Sequence, residues 1–101
     1  MVLNTLPQWS YSEAAVQALA LEMQADPRVV VVGEDVGRGG IFGQYKGLQA
    51  QFGPQRVIDT PISEAAIMGG GVGMALAGLR PVVEMRVVDF ALCAMDEIVN
   101  Q

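Results

Sequence analysis

Histidine is missing altogether from this 101-residue chain. With it go the commonest general base and the commonest metal ligand, so neither a zinc site nor a Ser-His or Cys-His nucleophile can be built from this chain alone. Cysteine occurs once, as Cys93, which rules out an internal disulfide. Six basic residues face eleven acidic ones, a net charge of −5, and the basic ones are scattered where a nucleic-acid surface needs them clustered. No apolar run reaches the length of a membrane span: residues 65–79 are too few, and Arg80 follows at once. The first nine residues lack a basic start leading into an apolar core, so the expected location is cytoplasmic. Neither an internal repeat nor a low-complexity segment occurs. What the chain does hold is apolar residues, 51% of the total, ample for the core of one domain.

Residues 56–90 organise the rest. Val57-Ile58-Asp59 is a brief apolar run cut off by Thr60-Pro61. Ser63 suits a helix N-cap, and Glu64 at the start of that helix is favoured by the macrodipole. Gly69, Gly70, Gly71 and Gly73 follow within the helix, each unfavourable by roughly 1 kcal/mol relative to Ala. Close approach of another helix, a sheet, a subunit or a ligand is the expected compensation, with Gly69 and Gly73 on one face. Gly78 reads as the residue just past the helix end, and Arg80-Pro81 leads into the strand Val82-Val83-Glu84-Met85. A helix between two short apolar strands is a βαβ crossover.

Upstream, Ala15, Val16, Leu19, Ala20 and Met23 recur at helical spacing from Ser12 to Asp26-Pro27. The four valines at 29–32, without alternation, suit a central parallel strand buried on both faces. The loop that follows, residues 33–40, occupies the place where open α/β sheets put ligands. It nevertheless fails the dinucleotide spacing, because the sixth position counted from Gly37 is Phe42. It also fails the phosphate-loop pattern, because Gly47 follows Lys46. On spacing alone a solvated acidic turn is expected there. Residues 45–52 read as a short helix closed by Gly53-Pro54. A last helix, capped by Asp89, is expected to run on with apolar positions still recurring at Gln101, the pattern of a truncated chain.

Taken in order, Gly33-Glu34-Asp35-Val36-Gly37, Gly39-Gly40-Ile41-Phe42, Phe52-Gly53-Pro54, Asp59-Thr60-Pro61-Ile62-Ser63-Glu64-Ala65-Ala66, Gly78-Leu79-Arg80-Pro81 and Asp96-Glu97-Ile98-Val99-Asn100 resemble the beta subunit of thiamine-diphosphate-dependent 2-oxoacid dehydrogenases. These are the decarboxylating components of the pyruvate, branched-chain 2-oxoacid and acetoin dehydrogenase complexes. The resemblance implies an α/β fold, a parallel sheet with helices on both faces, with residues 1–101 forming the amino-terminal part of a transketolase-like pyrimidine-binding domain and the carboxyl-terminal domain absent. It implies that Glu64 hydrogen-bonds a ring nitrogen of the cofactor and favours the imino tautomer. That tautomer takes the proton from the thiazolium carbon. Phe90 would pack on the aminopyrimidine ring and Ile62 would touch it, while Glu34 would line an acidic tunnel between paired active sites. Arg86 falls beside the pyrimidine, where family members carry Gln or Met. A cation there alters the electrostatics of the site, most of all if it pairs with Glu64. The resemblance places the diphosphate and magnesium ligands on an alpha subunit. It adds a second beta subunit and a lipoyl acyltransferase core as partners, with no nucleic acid or membrane. A fragment of this kind is expected to be inactive alone and to self-associate. Two other readings share some of these residues: a transketolase-like enzyme of the same fold, and a non-catalytic domain whose glycine helix only makes a subunit contact.

Overall fold

The computed structural model describes residues 6–101; residues 1–10 read from the sequence as an extended lead-in, because they lack a period and contain Pro7, and the first five of them lie outside that range. Helix α1 (Tyr11–Ala25) begins one residue before Ser12, the expected start, because Ser10 and Glu13 form a reciprocal cap. Glu13 Oε2 accepts from the Ser10 amide at 2.7 Å, and Ser10 Oγ accepts from the Glu13 amide at 3.3 Å. The bond to the Ser10 amide holds the Glu13 carboxyl below its ordinary range. Strand β1 (Val29–Gly33) is buried throughout and lies between β2 (Val57–Asp59) and β3 (Arg80–Val83), all parallel. Register pairs Val31 with Val57 on one side and with Val82 on the other.

Alternation along β1 divides the core. Val29 and Val31 join Met23 of α1, Leu48 of α2 (Leu48–Phe52) and Val57 on one face. On the other face, Val32 borders Ile67 of α3 (Glu64–Leu76). Helices therefore cover both faces, as a sheet of parallel strands requires. Helix α2 starts later than expected because Gly47 adopts φ 81°, a left-handed conformation that interrupts the helical path. Strand β3 begins earlier than expected, at Arg80. The Arg80 amide donates to the Arg28 carbonyl and the Glu84 amide to the Val32 carbonyl, each at 2.9 Å. Pro81 falls at the alternate position, where β1 requires no donor.

The last segment departs furthest from expectation. A 3-10 helix (Val88–Ala94) precedes a short α4 (Met95–Asn100), and Asp89 caps neither. With no side chain to satisfy its first amides, the turn closes by a shorter bond, Phe90 N–H to the Val87 carbonyl at 2.9 Å. Both pieces pack on α3.

Arg56, just before β2, fastens α1 to the sheet. Its guanidinium donates to the carbonyls of Met23 (2.7 Å), Asp26 (3.0 Å) and Val29 (2.9 Å) and lies 5.1 Å from the Phe52 ring centre. Replacing Arg56 by Met keeps the packing on Phe52 but leaves those carbonyls without their charged donor. We expect a loss of about 1.5–3 kcal/mol in urea unfolding; a loss below about 0.5 kcal/mol, the scale of ordinary surface changes, would show that water replaces the guanidinium freely. Nearby, Arg28 grips Asp26 and holds its carboxyl down at about 2.

Candidate functional site at the carboxyl ends of the strands

The three strands run in parallel, so their carboxyl ends meet along one edge, and each passes into a segment rich in polar groups. After β1 the chain turns at Gly33, where a Cβ would collide with the Cβ of Glu84. That close approach brings the ends of β1 and β3 together. The acidic loop is not the solvated turn that its composition suggests. Val36 is completely buried and the Glu34 side chain is only 8% exposed. A carboxylate that far from water needs a counter-charge, and Arg86 supplies it. Its Nη2 lies 3.3 Å from Glu34 Oε2 and also bonds Asp35 Oδ2. Arg38 approaches Asp35 from outside at 3.5 Å.

Around this pair the rim is laced together. Gly37 N–H donates to Asp59 Oδ1 at 2.7 Å, and Gln49 Nε2 donates to the Val57 carbonyl at 2.9 Å and to Asp59 Oδ2 at 3.3 Å. Thr60 N–H donates to the Gly33 carbonyl at 3.0 Å. Glu84 accepts from Tyr45 Oη and, at 3.3 Å, from Gln44 Nε2. Burial, and then the Glu84 carboxylate, push the Tyr45 phenol far above its usual range, so it remains a donor. Glu84, Tyr45 and Asp59 escaped the sequence reading. One signal was present: Glu84 is the lone charge in an apolar strand run, and an acid in that setting requires partners.

Glu64 opens α3, half-buried, with no hydrogen bond or ion pair among the described residues. Ser63 does not cap the helix as expected. Its hydroxyl donates to the Pro61 carbonyl at 2.9 Å, and the α3 amides receive no side-chain cap. Arg86 does not pair with Glu64; it is committed to Glu34 and Asp35. Ile62, 74% exposed, precedes Glu64 by two residues, and Phe90, 41% exposed, sits in the 3-10 helix that packs on α3. Neither is a core residue. Behind the turn lies a cleft of about 370 Å³ whose walls include Val32, Ile58, Thr60, Ser63, Ile67 and Met74. The Thr60 hydroxyl is buried without a partner. The cleft is walled largely by apolar side chains, and Glu64, Ile62 and Phe90 are not among its walls.

A parallel sheet with a polar rim at its carboxyl edge is shared by many α/β proteins, and comparison with known proteins narrows the class. Residues 7–101 match the transketolase pyrimidine-binding domain, and the chain belongs to that family. Within it, the chain is similar to dehydrogenase beta subunits. It is 48% identical over 91% of its length to the 2-oxoisovalerate dehydrogenase subunit beta of Bacillus subtilis, covering 28% of that protein. It is 49% identical over 87% of its length to the mitochondrial pyruvate dehydrogenase E1 component subunit beta-1 of Arabidopsis thaliana, covering 24%. The Pisum sativum counterpart is 46% identical over 96% of the chain, which covers 27% of it. The chain thus spans about a quarter of the length of these relatives. The names also correct the cytoplasmic expectation, which rested on the missing signal pattern: the Arabidopsis, Pisum and Oryza sativa relatives are mitochondrial. An acidic, apolar-cored domain of this composition suits either compartment.

Proposed function

We propose that this chain carries the pyrimidine-binding half-site of a thiamine-diphosphate-dependent 2-oxoacid dehydrogenase, as the amino-terminal part of that domain in a beta subunit. The observation that carries the reading is the contrast among the acids at the rim. Glu34, Asp35, Asp59 and Glu84 are each engaged by a guanidinium, a backbone amide or a side-chain donor. Glu64, at the amino end of α3, has no such partner among the described residues. In this reading Glu64 hydrogen-bonds a ring nitrogen and holds or delivers the proton exchanged there. Phe90 and Ile62 orient the ring by its faces and keep water from it. Thiamine diphosphate, when bound, supplies the carbon nucleophile for decarboxylation of a pyruvate-like or branched-chain 2-oxo acid. Transfer of the acyl group to a lipoyl arm completes the reaction.

The diphosphate and its magnesium are assigned to an alpha subunit in an assembly of two alpha and two beta chains, docked on a lipoyl acyltransferase core. Leu76, Val88, Leu92 and Val99 are largely exposed, which supports the reading that further protein covers these side chains. Calorimetric titration of thiamine diphosphate tests the half-site. The chain alone is expected to show no micromolar binding, and the alpha subunit is expected to restore it. Tight binding by the chain alone would refute the division of the site between subunits, and no binding with the alpha subunit present would refute the cofactor assignment.

A further inference from the structure

Glu84 and Arg86 leave β3 two residues apart and fasten two parts of the loop that follows β1. Glu84 secures its far part through Gln44 and Tyr45, and Arg86 secures its near part through Glu34 and Asp35. The near part is tied in turn to the segment that carries Glu64. The links are the Gly37 amide on Asp59 and the Thr60 amide on the Gly33 carbonyl. We propose that Arg86 is a positioning residue for Glu64, acting through residues 34–37 and Asp59, and that it is not a ligand contact.

Two features of the loop make it depend on this one side chain. Glu34 is buried and has Arg86 as its ion-pair partner. Asp35 holds φ at 58°, a left-handed conformation that a non-glycine residue keeps only where its surroundings over-determine it. Here those surroundings are Arg86, Arg38 and the Gly40 amide, which donates to the Asp35 carbonyl at 2.8 Å. The guanidinium itself is built into the rim: Nη2 is shared between two carboxylates, and Nε is buried without a partner. Without Arg86, the carboxylates repel each other, the left-handed turn relaxes, and Gly37 withdraws its amide from Asp59, directly before Thr60 and the start of α3.

The proposal rests on the reading of Glu64 as the working carboxyl group, but the linkage itself can be measured without cofactor. Hydrogen exchange in the full chain is followed at the Gly37 and Thr60 amides, with Val31 and Val32 of β1 as the core reference. Arg86→Met is expected to speed exchange at Gly37 and Thr60 by about tenfold while the reference amides stay within about twofold. Arg86→Lys is expected to restore most of the protection, and Arg80→Met, which removes an exposed guanidinium at the other end of β3, is expected to change neither site. Unchanged exchange at Gly37 and Thr60 in Arg86→Met overturns the proposal, as does an equal acceleration of the β1 amides. Should Arg86→Met fail to fold, Asp35→Asn serves in its place, since Asn tolerates the left-handed conformation and removes one charge; exchange at the two amides identical to wild type again overturns the linkage. In an assembled enzyme, loss of positioning is expected to lower kcat with little change in KM, and KM alone rising would mark Arg86 as a substrate contact. The two readings fail separately. Full turnover in Glu64→Gln would remove the catalytic role and leave the exchange result standing.

Discussion

Glu64→Gln in the assembled alpha–beta enzyme is expected to reduce turnover by about 10²- to 10⁴-fold, the range for loss of one acid-base group. Subunit assembly should be nearly unchanged. Gln fills the same volume and still offers an amide for hydrogen bonding, but it cannot exchange the proton that a ring nitrogen requires. The expected loss corresponds to roughly 3–5 kcal/mol of barrier. Were Glu64 only a first-turn carboxylate, its contribution would be roughly 0.3–1 kcal/mol of stability through the helix dipole. Nothing in the structure gives Glu64 a larger structural role: it makes no ion pair among the described residues and lies half-exposed at the helix start. Cofactor-dependent decarboxylation, measured at saturating thiamine diphosphate, separates the two. A change under about threefold, far below the acid-base range, would reject the catalytic assignment.

Opposite effects are expected from two substitutions two residues apart on α3. Gly71 is buried against β3, and a Cβ there would lie 2.5 Å from Val83 Cγ2. Gly71→Leu drives a branched side chain into a β-branched neighbour on the sheet, and overpacking of this kind costs about 1–3 kcal/mol. We expect the upper end, because α3 cannot withdraw from β3 without also disturbing the 3-10 helix and α4 that pack on it. A Cβ at Gly73, by contrast, meets nothing within 4 Å among the described residues. Gly73→Ala should therefore stabilise the chain by about 0.5–1 kcal/mol through reduced backbone freedom in the unfolded state. Urea unfolding of both variants checks the pair. A Gly71→Leu chain as stable as wild type would mean that the α3–β3 contact is looser than the structure shows. The contrast also answers the question raised by the glycine-rich helix: Gly71 is explained by the sheet beneath it, and Gly73 by nothing among the described residues.

Much of the fold was legible from residues near one another in the sequence. The run of valines at 29–32 announced a strand buried on both faces. The spacing of Val16, Leu19, Ala20 and Met23 announced α1, and Gly78, found at φ 104°, announced the end of α3. These features follow from backbone sterics and from periodicities of two and 3.6 residues, which act over a few positions at most. The βαβ reading of residues 56–90 held for the same reason, and the family resemblance is borne out by the match over residues 7–101. Errors fell where a second partner, near or distant, competed with the local rule. Ser63 has the residue type of a cap, yet its hydroxyl turns to Pro61. The loop after β1 has the composition of a solvated turn, yet it is drawn under the rim by Arg86.

The sequence by itself therefore determined the elements, their order, the central strand and the turn that presents Glu64. Only the tertiary structure decided which charges meet. Arg86 lies 51 residues from Asp35 along the chain, and no spacing rule reaches that far. Its choice of Glu34 and Asp35 over Glu64 depends on the register of β1 with β3, which sets the two strand ends side by side, and on the burial of Glu34, where an unpaired carboxylate is least tolerable. Arg86 is drawn to the acid most withdrawn from water and Arg38 stays on Asp35, and Glu64 is left without a partner among the described residues.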